Sequence, residues 1–204
     1  MPYNPNIHKR RSIRLKDYDY SQAGLYFLTI CCHENQNRFG EIVNGKMILN
    51  AAGEMIEKWY YELENKFPDI KCDEMIIMPN HFHCIVQNIG IQSTTPVGAD
   101  LRVCPNDISG EHTILGEHVI LGEHVILGEH IGSPLHRVVQ WFKTMSTNEY
   151  INGVKTLGWE SFNGKLWQRN YYEHIIRNHK SHYVITQYIA ANPAQWKNDA
   201  FYCE

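Results

Sequence analysis

The sequence predicts an α+β sandwich of the ferredoxin-like kind, an antiparallel sheet with helices on one face. Three observations predict it. Runs rich in β-branched and aromatic residues recur along the chain, segments with apolar residues at helical spacing separate them, and their order gives two βαβ-like halves. The 204 residues, 43% of them hydrophobic and 20% charged, suit one globular domain large enough to bury a core.

The first element expected is a buried strand over Leu25 to Cys32, entered from Gly24. Asn44-Gly45, between Ile42-Val43 and Met47-Ile48-Leu49, signals a hairpin, because both residues tolerate the positive φ that a tight two-residue turn requires. Asn50 can cap a helix that carries Met55, Ile56, Trp59, Tyr60 and Leu63 on one face and ends before Pro68. Ile70 to Met78 and His81 to Gln87 read as two strands flanking a Pro79-Asn80 corner. A mostly apolar helix opens at Leu135 and includes Val138, Val139, Trp141, Phe142, Met145 and Tyr150, with Arg137, Lys143 and Glu149 at polar positions. An extended segment follows, from Leu166-Trp167 through Tyr171-Tyr172 to Ile175-Ile176. The last helix runs from Lys180 to about Ala191 and stops near Asn192-Pro193, where proline cannot continue the hydrogen-bond ladder.

Two segments stand outside this plan. Residues 1–20 form a basic arm in which Lys9, Arg10, Arg11, Arg14 and Lys16 cluster, a run able to neutralise several phosphates or simply to remain solvated. Residues from about 90 to 133 read as a flexible insertion in which Gly-Glu-His recurs at Gly110, Gly116, Gly122 and Gly128. Four hexapeptides cannot stack into a solenoid with a buried core, so the repeat is assigned no function.

The formal net charge of -3 argues against a protein that coats nucleic acid non-specifically. Residues 1–16 are polar and basic without an apolar stretch, and no apolar run approaches the length of a membrane span. Six cysteines without a CxxC pair read as reduced thiols. A cytoplasmic protein without a membrane partner is expected.

The strongest chemical signal is Met78-Pro79-Asn80-His81-Phe82-His83-Cys84. Side chains alternate faces along a strand, so His81 and His83 point one way while Phe82 points into the core. Two imidazoles on adjacent same-face positions can grip one metal ion. The same pair can equally be packed, hydrogen-bonded histidines. In the last helix, Tyr188 and Asn192 lie one turn apart on one face and could serve such a site as nucleophile and ligand. A phenol, with a pKa of about 10, attacks phosphorus poorly unless a cation polarises its target. Spacing alone leaves Tyr171, Tyr172 and Tyr183 as competitors for the nucleophile.

Several segments in order resemble one known family. They are Arg11-Ser12-Ile13-Arg14, Asp17-Tyr18-Asp19-Tyr20, Gly24-Leu25-Tyr26-Phe27-Leu28-Thr29, Phe39-Gly40-Glu41 and Met78-Pro79-Asn80-His81-Phe82-His83. Phe142-Lys143, Trp167-Gln168-Arg169-Asn170-Tyr171-Tyr172-Glu173-His174-Ile175-Ile176-Arg177-Asn178 and Tyr188-Ile189-Ala190-Ala191-Asn192-Pro193 follow. Together they resemble the REP-associated tyrosine transposases, within the insertion-sequence-200-like superfamily of HUH, single-tyrosine transposases. The resemblance covers most of the chain outside the insertion.

The resemblance implies the HUH nuclease fold and bacterial DNA transposition and recombination. It implies cleavage and rejoining of single-stranded DNA through a 5′-phosphotyrosine, with Tyr188 as nucleophile and His81, His83 and Asn192 as ligands of Mg²⁺ or Mn²⁺. It also implies a partner: single-stranded DNA carrying a palindromic hairpin with a short guide beside it. Arg10, Arg11, Arg14, Lys16, Lys143 and Arg169 are the residues expected to touch that DNA. Imidazole ligands suit Mn²⁺ better than Mg²⁺, so manganese is the expected preference. Monomer and homodimer remain open. Two other readings stand beside this one: a catalytically inactive hairpin-binding protein, and a zinc hydrolase that uses His81, His83 and a third ligand such as His174 to activate water.

Overall fold

The computed structural model describes residues 18–90 and 132–203. Arg10, Arg11, Arg14 and Lys16 of the basic arm, Cys104 and the hexapeptide repeat lie outside the described residues. The elements follow in chain order: β1 (Gly24–Cys31), β2 (Gly40–Val43), β3 (Lys46–Leu49), α1 (Ala51–Lys66), β4 (Ile70–Ile77), β5 (His81–Asn88), α2 (Leu135–Thr156), β6 (Tyr172–Ile176) and α3 (His179–Ala191). Strands β2 and β3 pair as a separate hairpin, and the other four form an antiparallel sheet of order β4-β5-β1-β6. Without the hairpin, this is the strand-helix-strand, strand-helix-strand arrangement expected of a ferredoxin-like α+β sandwich.

Local chemistry accounts for the element ends. Asn44 and Gly45 both adopt positive φ, 51° and 75°, which closes the β2–β3 hairpin. The Asn50 side chain accepts from the Gly53 amide at 2.9 Å and caps α1. Asn178 does the same for α3, accepting from the Ser181 amide at 2.8 Å. The chain leaves the described fold at Gly90 and re-enters at Gly132, and Asn88 holds both ends. Its side chain accepts from the Gly90 amide at 2.9 Å and donates to the Ser133 carbonyl at 3.1 Å.

Alternation along the strands builds a core on each face of the sheet. Tyr26, Leu28 and Ile30 of β1 and Phe82, Cys84 and Val86 of β5 pack with Ile56, Tyr60, Val138 and Phe142 of α1 and α2. On the other face Ile76, Ile85 and Ile176 meet Leu25, Phe27, Ile185 and Ile189. The expectation of helices on one face therefore holds for α1 and α2, whereas α3 crosses the opposite face. The reason lies in the strands: their second face is also apolar, and α3 removes it from water.

Strand β4 breaks register between Cys72 and Met75. The buried Tyr60 hydroxyl repairs that break: it accepts from the Asp73 amide at 3.0 Å and donates to the Ile85 carbonyl at 2.6 Å. Tyr60→Phe leaves both backbone groups without this partner and is expected to destabilise the protein by about 2 kcal/mol or more. Urea unfolding tests this, through a lower midpoint at unchanged slope. The irregularity also presents Asp73 to α3, where a carboxylate oxygen lies 2.7 Å from His182 Nε2.

Candidate active site

Strand β5 opens with the two histidines. Its register with β1 sets Thr29 opposite His83 and Cys31 opposite His81, all on the face that α3 covers. The imidazoles are 0% and 1% exposed. Phe27 stacks on His83 with ring centres 5.4 Å apart, and the Trp196 and Phe201 rings lie 5.8 and 4.9 Å from His81.

Neighbouring polar groups fix the His81 tautomer. The Asn80 amide nitrogen donates to the carbonyls of Asn35 and Phe201 at 3.0 and 2.8 Å, so its oxygen faces His81 Nδ1 at 2.9 Å. An oxygen there can only accept, hence His81 carries its proton on Nδ1 and leaves Nε2 as a lone pair. His83 Nδ1 is occupied by the Thr29 hydroxyl at 2.8 Å. The two remaining nitrogens, His81 Nε2 and His83 Nε2, approach to 3.0 Å. Metal-binding histidines are commonly oriented in this way, the second ring nitrogen being engaged by an outer partner.

Helix α3 brings Tyr188 to the rim. Its hydroxyl lies 3.3 Å from His83 Nε2, its ring centre 5.3 Å from that imidazole, and it is 42% exposed. Of the four tyrosines weighed from sequence, Tyr188 is the one that α3 places against the pair. Tyr171 is buried, and Tyr172 and Tyr183 are exposed. Asn192 caps α3 one turn after Tyr188 and is buried, and its side-chain oxygen has no hydrogen-bond partner among the described residues.

Asp199 had no signal in the sequence, because it follows the last helix outside any regular pattern. A 3₁₀ segment, Asn192–Asn198, returns the chain to the site. One nitrogen each of His81 and His83 and a carboxylate oxygen of Asp199 then lie within 4.8 Å of one another. His174, considered from sequence as a third ligand, is on β6 opposite Phe27 and is not part of that cluster.

Burial dominates the electrostatics. It pushes the His81 pKa down to about 4 against the opposing pull of Asp199. Burial, and then the neighbouring His81, holds His83 well below the usual histidine range. Burial raises the Tyr188 phenol, and the Asp199 charge raises it further. The donor set fits a divalent cation: the two Nε2 atoms converge to 3.0 Å among aromatic rings, and the buried Asn192 oxygen lacks a partner among the described residues.

The depressed His81 value has a consequence for stability. An unfolded histidine takes up a proton near pH 6.5, whereas folded His81 stays neutral to about pH 4. The metal-free protein is therefore fully stabilised by this group above pH 6.5. It is expected to lose stability progressively as pH falls through that window. Urea midpoints in the presence of a chelator, compared at pH 7.5, 5.5 and 4.5, read this directly.

Lys143 and Arg169 line a groove between α2 and the Gly164–Tyr171 segment. The Lys143 ammonium donates to the carbonyls of Gln168 and Asn170 at 3.0 and 3.1 Å, while Arg169 is exposed. Gln168 extends from this groove to Asn35, donating to its side-chain oxygen at 2.9 Å. The groove wall and the Asn80 bracket under His81 are thereby linked through Asn35.

No family model matches the chain. An uncharacterized protein of Haemophilus influenzae is 35% identical over 206 residues, spanning 99% of this chain and 98% of its own. The chain belongs to that protein's family. Two solved structures are similar at lower levels. A REP-associated tyrosine transposase bound to a REP hairpin has a TM-score of 0.44 and 18% identity over 89% of this chain and 73% of its own. A candidate transposase of Deinococcus radiodurans has a TM-score of 0.40 and 13% identity over 87% of this chain and 95% of its own. No helix among the described residues is long and apolar enough to cross a membrane.

Proposed function

We propose that this protein is a single-tyrosine transposase, which cleaves and rejoins single-stranded DNA at hairpins with Mg²⁺ or Mn²⁺ as cofactor. The observation that carries the reading is the Tyr188 hydroxyl, 3.3 Å from His83 Nε2 at the rim of two converging imidazoles. His81, His83 and Asn192 would hold the cation. When bound, it supplies Lewis-acid polarisation of the scissile phosphate.

The chain's own groups do the rest. Tyr188 Oη forms a bond to phosphorus while the bond to the 3′-oxygen breaks. The departing oxygen leaves as a 3′-hydroxyl, and the proton it gains balances the one lost by the phenol. The product is a 5′-phosphotyrosine. A 3′-hydroxyl from another strand attacks it in reverse, joins the new DNA and restores the phenol. One phosphoester replaces another in each step, so no nucleoside triphosphate is consumed. A phenol with an ordinary pKa of about 10 is protonated at neutral pH and burial raises Tyr188 further, so its attack depends on a polarised phosphate.

Arg10, Arg11, Arg14 and Lys16 are proposed to contact DNA phosphates, with Arg169 and Lys143 along the groove beside α2. A partly exposed phenol next to buried ligands favours this reading over a zinc hydrolase, which has no use for Tyr188. The test incubates the protein with hairpin-bearing strands from the flanks of its own gene and Mn²⁺. A protein–DNA band that resists denaturation is expected; cleavage without such a band would reject the phosphotyrosine route.

A further inference from the structure

We propose that Asp199 is a metal ligand, adding a carboxylate from the C-terminal segment to the two imidazoles. The inference rests on the metal-dependent reading above and names a donor that the family resemblance does not carry. Its first support is placement. Among the described residues, an Asp199 oxygen and one nitrogen from each of His81 and His83 lie within 4.8 Å of one another.

A second support is orientation. Asp199 Oδ2 accepts from Asn192 Nδ2 at 3.1 Å, and Oδ1 accepts from the Phe201 amide at 2.7 Å. Each bond leaves a carboxylate oxygen with a further lone pair, so the group is held without being used up. Neither donor neutralises it.

Charge balance supplies the third argument. Nδ1 of each imidazole is engaged, by Asn80 and by Thr29, so the nitrogens available to a cation are the Nε2 atoms, which meet each other at 3.0 Å. Two neutral imidazoles and an amide oxygen bring no negative charge, so a divalent ion bound before a DNA phosphate arrives would be balanced by a carboxylate. Asp199 is the acidic member of the cluster. A cation placed there would replace the His81–His83 hydrogen bond, and Asp199 would give it an oxygen donor of the kind that Mg²⁺ and Mn²⁺ favour. The Asn192 amide then has two roles available, its nitrogen steadying Asp199 and its oxygen, without a hydrogen-bond partner among the described residues, facing the cation.

The experiment titrates Mn²⁺ into the metal-free full-length protein by calorimetry, comparing wild type with Asp199→Asn, and records the visible spectrum of each protein loaded with Co²⁺. Thermal melts of the metal-free forms verify that the variant is folded; if it is not, Asp199→Ser takes its place. The expected result is an Mn²⁺ affinity weakened at least about tenfold, with a changed Co²⁺ spectrum because a ligand is lost. A loss below tenfold, or a Co²⁺ spectrum superimposable on that of wild type, overturns the assignment and leaves the histidine site standing. Wild-type protein that binds neither ion overturns this inference together with the metal-dependent function.

Discussion

Tyr188→Phe is expected to abolish covalent capture and cleavage of hairpin DNA, by at least about 10³-fold, while hairpin binding is unchanged. The substitution removes one oxygen atom. Its ring keeps the edge contact with Phe27, whose centre is 6.1 Å away, and the packing of α3 through Ile185 and Ile189 is untouched. The hydroxyl's contact with His83 is 3.3 Å long, so its loss should change stability by no more than about 1 kcal/mol. A rate collapse without a stability or binding change isolates the nucleophile. Gel assays of adduct and of mobility shift, run on the same protein preparation, separate the two. Residual cleavage near the wild-type rate would point to activated water and to the zinc-hydrolase reading.

His83→Ala should act one step earlier. Removing this imidazole leaves a single histidine in the cluster, and Mn²⁺ affinity is expected to fall by at least about 100-fold. Adduct formation falls with it, whereas the hairpin contact proposed for the arm and the groove remains. The substitution also deletes a buried neutral histidine, so the acid sensitivity of the metal-free protein should become shallower. The loss of packing against Phe27 destabilises the variant at neutral pH, by about 1–3 kcal/mol if the cavity does not collapse. A calorimetric titration with Mn²⁺ and urea midpoints at two pH values test both halves. Wild-type metal affinity in this variant would remove His83 from the ligand set.

Much of the frame was legible because its signals are local. Asn44-Gly45 and the Asn50 cap each depend on backbone conformations that few residues satisfy, and the structure has the hairpin and α1 where they predict them. The shared face of His81 and His83 followed from strand alternation alone. Other features are set by tertiary contacts. Tyr188 could not be separated from Tyr171, Tyr172 and Tyr183 by spacing, and the family resemblance had to single it out. The side of the sheet that α3 takes depends on apolar residues of four strands, which are far apart in sequence. Asp199 was invisible for the same reason. Its approach to the imidazoles depends on the turn through Asn192–Asn198 and on Trp196 and Phe201 packing near His81.

The account depends on a phenolic oxygen that becomes linked to DNA. Mass spectrometry of the protein–DNA adduct, after nuclease trimming and proteolysis, tests this most directly. The predicted result is a nucleotide joined through its 5′-phosphate to the peptide that carries Tyr188. A nucleotide found instead on Tyr171, Tyr172 or Tyr183, or strands cut in Mn²⁺ with no nucleotide on any tyrosine, would contradict it.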